Sequence, residues 1–210
     1  MNIIKNLLFD LGGVIMDINR DRCVKALTAL GMEGAEEMLG LYVQSGEFMQ
    51  LEDGKLSPEQ FRDAIRSRIK TNRTISDEEI DSALNQFLLG IPAHRLKSLR
   101  ELRQKYRIYL LSNTNPIMFY SKIAESFRAE GFEMCDYFDG QVASFIAKCS
   151  KPGREIFEYA IKNLGIAPCE TLFLDDSQKN LDTAQILGFK TALVAPGTEF
   201  ADILKTKGLF

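Results

Sequence analysis

No stretch constrains this chain more than Leu7-Leu8-Phe9-Asp10-Leu11-Gly12-Gly13-Val14. Ile3-Ile4 and Leu7 to Phe9 make a short apolar run that predicts a buried strand, and it stops at a carboxylate followed by two glycines. At the carboxyl end of a parallel strand the backbone turns away from the sheet and leaves a crevice, so an acid there faces a ligand rather than the core. Asp10 is on this ground a candidate nucleophile. Aspartate also opens turns for purely local reasons, so the rest of the chain has to decide between the two readings.

Beyond the glycines, Arg20-Asp21-Arg22 begins an amphipathic pattern through Val24, Leu27 and Leu30 that ends at Gly31. From Glu33 to Leu89 the signals stay helical, with two capping boxes, Ser57-Pro58-Glu59-Gln60 and Ser76-Asp77-Glu78-Glu79, and no convincing strand. Residues 18–90 read as a helical insertion. Ile91-Pro92 ends it. A helix from Ala93 to about Gln104 leads into the strand Arg107 to Leu111, closed by Ser112-Asn113-Thr114-Asn115-Pro116. A continuous helix is predicted from about Ile117 to Ala129, then a strand within Phe138 to Ser144 and the pair Lys151-Pro152. The helix Arg154 to Leu164, the strand Thr171 to Leu174, the pair Asp175-Asp176, a helix from about Asn180 to Leu187 and the strand Thr191 to Val194 complete the alternation. Such alternation predicts an α/β fold, a doubly wound parallel sheet with helices on both faces.

Charge narrows the function classes. With 26 basic against 29 acidic residues and no dense Lys/Arg block, the chain lacks the basic face of a nucleic-acid binder. Arg100, Arg103, Lys105 and Arg107 read as the solvated face and end of a helix. Cys23, Cys135, Cys149 and Cys169 form no C-x-x-C pair and read as reduced thiols. No window approaches the ~18 consecutive apolar residues of a membrane span, and the N-terminus shows no basic leader followed by a long apolar segment, so a cytoplasmic location is expected. The single histidine, His94, has no second histidine with which to build a zinc site.

Polar groups end several of the strands: Asp10 on the first, Ser112 and Asn113 on the second, Asp175 and Asp176 on a later one, with Lys151 in a loop between. In a parallel sheet these ends share one edge and one crevice. Two carboxylates, Asp10 and one of the aspartate pair, are hard oxygen ligands suited to Mg²⁺. The Ser112 hydroxyl and the Lys151 ammonium suit phosphoryl oxygens.

Asp10-Leu11-Gly12-Gly13-Val14, Leu111-Ser112-Asn113, Lys151-Pro152 and Asp175-Asp176 with Asn180 resemble, in order, the four motifs of the haloacid dehalogenase (HAD) superfamily. The resemblance implies a Rossmann-like core over residues 1–17 and 91–210 and an α-helical cap over 18–90. It also implies a Mg²⁺-dependent phosphatase of small phosphorylated metabolites, working through an aspartyl-phosphate on Asp10. By the family pattern Asp10, the Gly12 carbonyl and Asp176 hold Mg²⁺, while Asn180 and Asp175 brace them. Ser112 and Lys151 bind the phosphoryl group and Asn113 supports the loop. A small-molecule phosphate ester is the expected partner, with no nucleic acid or membrane, in a monomer or homodimer.

One position departs from the pattern. The superfamily's usual acid/base aspartate, two residues after the nucleophile, is replaced by Gly12, as in a bacterial subgroup of sugar phosphatases and glucose-1-phosphatases. Proton transfer by such a group is worth ~10² to 10⁴ in rate, so its loss favours substrates with good leaving groups. Asp17 is the nearest spare carboxylate, either a substitute acid or a residue that orients the entry to the first cap helix. Glu47, Glu52 and Lys55, around the Gly46 and Gly54 turns, are the cap's polar residues to watch for specificity. Two rival functions remain: a metal-free 2-haloacid dehalogenase, which the two extra aspartates disfavour, and a non-catalytic phosphometabolite-binding protein.

Overall fold

In the computed structural model of the chain, residues 3–40 and 46–210 are described. In chain order, β1 (Asn6–Phe9) and β2 (Asp17–Ile18) precede five helices: α1 (Arg20–Ala29), α2 (Ala35–Met38), α3 (Gly46–Glu52), α4 (Pro58–Arg68) and α5 (Asp77–Asn85). Then come β3 (Leu88–Gly90), α6 (Ala93–Leu102), β4 (Arg107–Ser112), α7 (Pro116–Met118), α8 (Ala124–Phe127) and α9 (Met134–Tyr137). The chain closes with β5 (Gly140–Ala143), α10 (Ser144–Ala147), α11 (Arg154–Leu164), β6 (Thr171–Asp175), α12 (Gln178–Ile186), β7 (Lys190–Leu193) and α13 (Phe200–Thr206).

Five strands form one parallel sheet in the order β5-β4-β1-β6-β7, so the chain starts in the middle and winds outward both ways. Side-chain alternation on its strands serves both faces. Leu7 and Phe9 join Ile108, Leu110, Leu172 and Leu174 in one apolar cluster, while Leu8 joins Tyr109, Leu111 and Phe173 in the other. Each fully buried Phe or Leu contributes about 1.5–3 kcal/mol, and this two-sided burial is why the central strands are almost uniformly apolar. The first cluster also runs into the helical insertion, taking in Phe48, Phe61, Ile80 and Leu84. Inside that insertion both expected capping boxes form, Ser57 with Gln60 on α4 and Ser76 with Glu79 on α5, and Pro58 opens α4.

Several of the sequence expectations need amendment. β2 and β3 pair antiparallel as a two-stranded ribbon at the two roots of the insertion, where the sequence pattern offered no strand. The helix expected from Ile117 is broken: α7 widens into a π turn over Phe119–Ile123 before α8 resumes. Ser121 Oγ donates back to the Ile117 carbonyl at 2.6 Å, a side-chain bond that competes with regular helix geometry. Arg100 and Arg103 are also more than a solvated face. Arg100 pairs with Glu130 and lies over the Phe132 ring, and Arg103 donates to the carbonyls of Cys135 and Asp136, fastening α6 to the segment before β5. The four cysteines are free thiols, and no helix among the described residues is long and apolar enough to cross a membrane.

Candidate active site

The site is assembled by sheet register. Phe9 lies opposite both Leu110 and Leu174, so Asp10 emerges beside the end of β4 and directly alongside Asp175. The Asp10 amide still donates to the Leu174 carbonyl at 2.9 Å, which fixes the residue at the strand end before the chain turns.

Lys151 joins these ends. Its Nζ lies 2.8 Å from Asp10 Oδ1 and 2.8 Å from Asp175 Oδ2, with the side chain 1% exposed. Burial opposes the charge on that ammonium, but the two carboxylates outweigh it and hold the lysine pKa above its ordinary value. Asn113 sets the lysine's backbone from both sides: Asn113 Oδ1 accepts from the Lys151 amide at 2.9 Å, and Asn113 Nδ2 donates to the Lys151 carbonyl at 2.8 Å. Ser112 is buried at the end of β4, its Oγ 3.3 Å from the Asn113 carbonyl.

The aspartate pair divides in two. Asp175 is wholly buried and accepts from Lys151, from the Ser177 amide at 2.8 Å and from Asn180 Nδ2 at 2.9 Å. Its oxygens are engaged internally. Asp176 is exposed at the rim. Oxygens of Asp10, Asp175 and Asp176 lie within 4.8 Å of one another. Burial raises the pKa of Asp10, the negative charges of Asp175 and Asp176 raise it further, and Lys151 opposes them. Asp176 is raised for the same reasons, burial first and Asp175 second. Three carboxylates facing one ammonium leave an excess of negative charge, and a hard divalent cation is the species that oxygen donors so placed would hold. The residues present therefore fit Mg²⁺.

Asp17 stands outside this group. It lies at the root of the insertion, paired with Arg95 Nη1 at 2.7 Å. Arg95 also donates to the Ile15 carbonyl at 3.2 Å and to both oxygens of Glu199 at 2.8 Å. His94 Nε2 sits 3.1 Å from the same Glu199.

The three polar residues of the insertion have different fates. Glu47 pairs with Arg68 and Lys55 pairs with Asp53, at 2.8 and 2.7 Å. Glu52, at the end of α3, is close enough to Asp10 and Lys151 for their charges to act on it. Sequence reasoning missed the groups that seat this segment on the sheet edge. Ser144 Oγ lies 2.7 Å from the Glu52 carbonyl, Lys148 Nζ donates to the Gly54 carbonyl at 2.7 Å, and Ser150 Oγ bonds Asp53. The one available signal was that Ser150 immediately precedes Lys151.

The model of a haloacid dehalogenase-like hydrolase matches residues 4–188. A D-ribitol-5-phosphate phosphatase from Bacteroides thetaiotaomicron is 39% identical over 189 residues, covering 90% of this chain and 91% of the relative. Among solved structures, a HAD family enzyme from the same organism, in complex with magnesium and inorganic phosphate, superposes with a TM-score of 0.88 at 40% identity, covering 95% of this chain and 98% of that one. The structure of a predicted HAD-like family hydrolase from Porphyromonas gingivalis gives a TM-score of 0.89 at 34% identity and 98% coverage of both chains. On these matches the chain belongs to the haloacid dehalogenase-like hydrolase family.

Proposed function

We propose that this protein is a Mg²⁺-dependent phosphatase of small phosphorylated metabolites, with phosphorylated sugar alcohols of the ribitol 5-phosphate kind as its substrates. The observation that carries the reading is the buried Lys151 bridging Asp10 and Asp175 beside Asp176. The substrate class is supported by the 39% identical ribitol-phosphate phosphatase.

In this reading Asp10 attacks phosphorus, the ester P–O bond breaks as the Asp10–phosphorus bond forms, and the departing oxygen takes its proton from water, since Gly12 offers no acid. A polyol phosphate is thus turned over without the good leaving group that Gly12 favours. Water then attacks the aspartyl-phosphate and returns Asp10 and inorganic phosphate. Lys151 aims the Asp10 carboxylate and, with Ser112, offers positive charge and a hydroxyl to the phosphoryl oxygens. Asn113 keeps Lys151 in place. Asp10, the Gly12 carbonyl and Asp176 would hold Mg²⁺, which supplies charge neutralisation for the phosphoryl group, while Asp175 and Asn180 brace them. Residues 18–90 act as a cap on a core of 1–17 and 91–210. Asp17, held by Arg95, serves the root of that cap rather than proton transfer.

The test is a panel of polyol phosphates, sugar phosphates and p-nitrophenyl phosphate, assayed with Mg²⁺ and with chelator, beside Asp10→Asn. Hydrolysis that requires Mg²⁺ and falls at least about 10⁴-fold in the variant is expected. Halide release from 2-haloacids without metal would assign the dehalogenase activity instead. Tight phosphosugar binding by equally inert wild type and variant would leave a binding protein.

A further inference from the structure

Around the crevice, nearly every carboxylate has a task. Asp10 and Asp175 share Lys151, Asp175 also takes Asn180 and Ser177, Asp53 takes Ser150 and Lys55, and Asp17 takes Arg95. Asp176 completes the acidic trio. Glu52 differs. Its half-buried carboxyl has no hydrogen-bond or ion-pair partner among the described residues, although Asp10 and Lys151 are near enough to act on it electrostatically.

Its position is nevertheless rigid. The chain from Glu52 to Gly54 is held by Ser144, Lys148 and Ser150, three residues of the segment that runs from the end of β5 to Lys151. Gly54 adopts a φ of +59°, and a Cβ there would strike the Phe145 carbonyl, so backbone lies directly on backbone. The Glu52 backbone is thereby fixed next to the Ser150–Asp53 bond and so beside Lys151, and its carboxyl is within electrostatic reach of Asp10 and Lys151.

The chemistry of that carboxyl selects its ligand. Burial first, then the charges of Asp53 and Asp10, push the Glu52 carboxyl up to about 8, and Lys151 rather than Glu52 offers the positive charge that a phosphoryl anion needs. The Glu52 oxygens do suit neutral O–H donors, and a carboxyl accepts from hydroxyls whether ionised or not. A site that hydrogen-bonds a substrate hydroxyl discriminates against the analogue that lacks it, because the acceptor then has no partner in the closed complex.

We propose that Glu52 is the specificity-determining residue of the cap, accepting hydrogen bonds from hydroxyl groups on the polyol that carries the phosphate. This rests on the phosphatase reading above and deepens it. It names hydroxyls of the leaving alcohol as the feature recognised, and a residue of the cap as what recognises them.

The experiment compares kcat/KM for D-ribitol 5-phosphate and n-pentyl phosphate, the same carbon count without the free hydroxyls, in wild type, Glu52→Gln and Glu52→Ala. The expected result is a ribitol-to-pentyl preference in wild type that falls about 10- to 100-fold in Glu52→Ala, mainly through KM, and by less in Glu52→Gln, which still accepts one bond. Equal loss on both substrates, or an unchanged preference, overturns the proposal. A wild type that hydrolyses p-nitrophenyl or n-pentyl phosphate with Mg²⁺ but not ribitol 5-phosphate overturns it while sparing the phosphatase reading. A wild type inert toward all three removes the phosphatase reading itself, and this proposal with it.

Discussion

Gly12 and Gly13 look alike in the sequence and serve the site differently. Gly12 matters for the acid it lacks, whereas Gly13 matters for the space it leaves. Gly13 sits at φ +76°, and a Cβ built on it would collide with the Asp176 carboxylate. Gly13→Ala should therefore cost about 1–3 kcal/mol in backbone strain and also displace Asp176. The expected signature is a modest drop in Tm with a much larger rise in the Mg²⁺ concentration that gives half-maximal activity. A variant that loses stability but keeps the wild-type Mg²⁺ requirement would separate Gly13 from the metal site. At this scale the sequence was most informative where chemistry sits at strand ends, because register brings Asp10, Ser112 and Asp175 to one sheet edge, where the loop residue Lys151 bridges Asp10 and Asp175. It was least informative for Asp17, whose partner Arg95 lies 78 residues away and belongs to no motif. The same holds for Glu52, whose neighbours are decided by how the insertion seats on the sheet.

Between residue and molecule, the β2-β3 ribbon and its clamp form the element that joins the insertion to the sheet. Strands of two and three residues are too short to show periodicity, so the ribbon left no trace in the pattern, and α13 was missed for similar brevity. Of the longer helices, α11 was legible to the residue at both ends, and the capping boxes marked where α4 and α5 begin. The clamp is Arg95, gripping Asp17 and the Ile15 carbonyl at one end and Glu199, the residue that immediately precedes α13, at the other. Hydrogen bonds from Arg95, and then from His94, hold the Glu199 carboxyl down at about 2 against the opposing effect of burial. Because the folded-state pKa lies below the unfolded value of about 4.3, this pairing stabilises the fold fully above about pH 5 and is lost as pH falls toward 2. Glu199→Gln should lower Tm modestly at pH 7, since the pair is partly solvated, and the gap from wild type should close between pH 5 and 2.5. A gap of constant size over that range would show that packing, not charge, is what Glu199 contributes.

For the molecule as a whole, the apolar cluster that runs from Leu7 and Phe9 through Phe48, Phe61, Ile80 and Leu84 ties the insertion to the sheet. Shared burial of that kind makes separate melting of cap and core unfavourable, since either part alone would expose the face the other covers. The crevice between them works in the opposite sense: Asp10, Asp175 and Asp176 crowd around one ammonium, and burial raises the cost of charging Asp10 and Asp176. A cation bound only by the folded state relieves that repulsion and stabilises the whole cooperative unit, by about 2.7 kcal/mol at a concentration one hundred times Kd. Thermal unfolding followed by fluorescence and by far-UV circular dichroism should therefore show one coincident transition, moved upward by Mg²⁺. In Asp176→Asn the metal-free protein should melt as high as wild type or higher, because one repelling carboxylate is gone, while the Mg²⁺ increment should shrink to near zero. A full increment in Asp176→Asn would place the ion elsewhere, and two separate transitions in the wild type would show that the shared core does not couple the cap to the sheet.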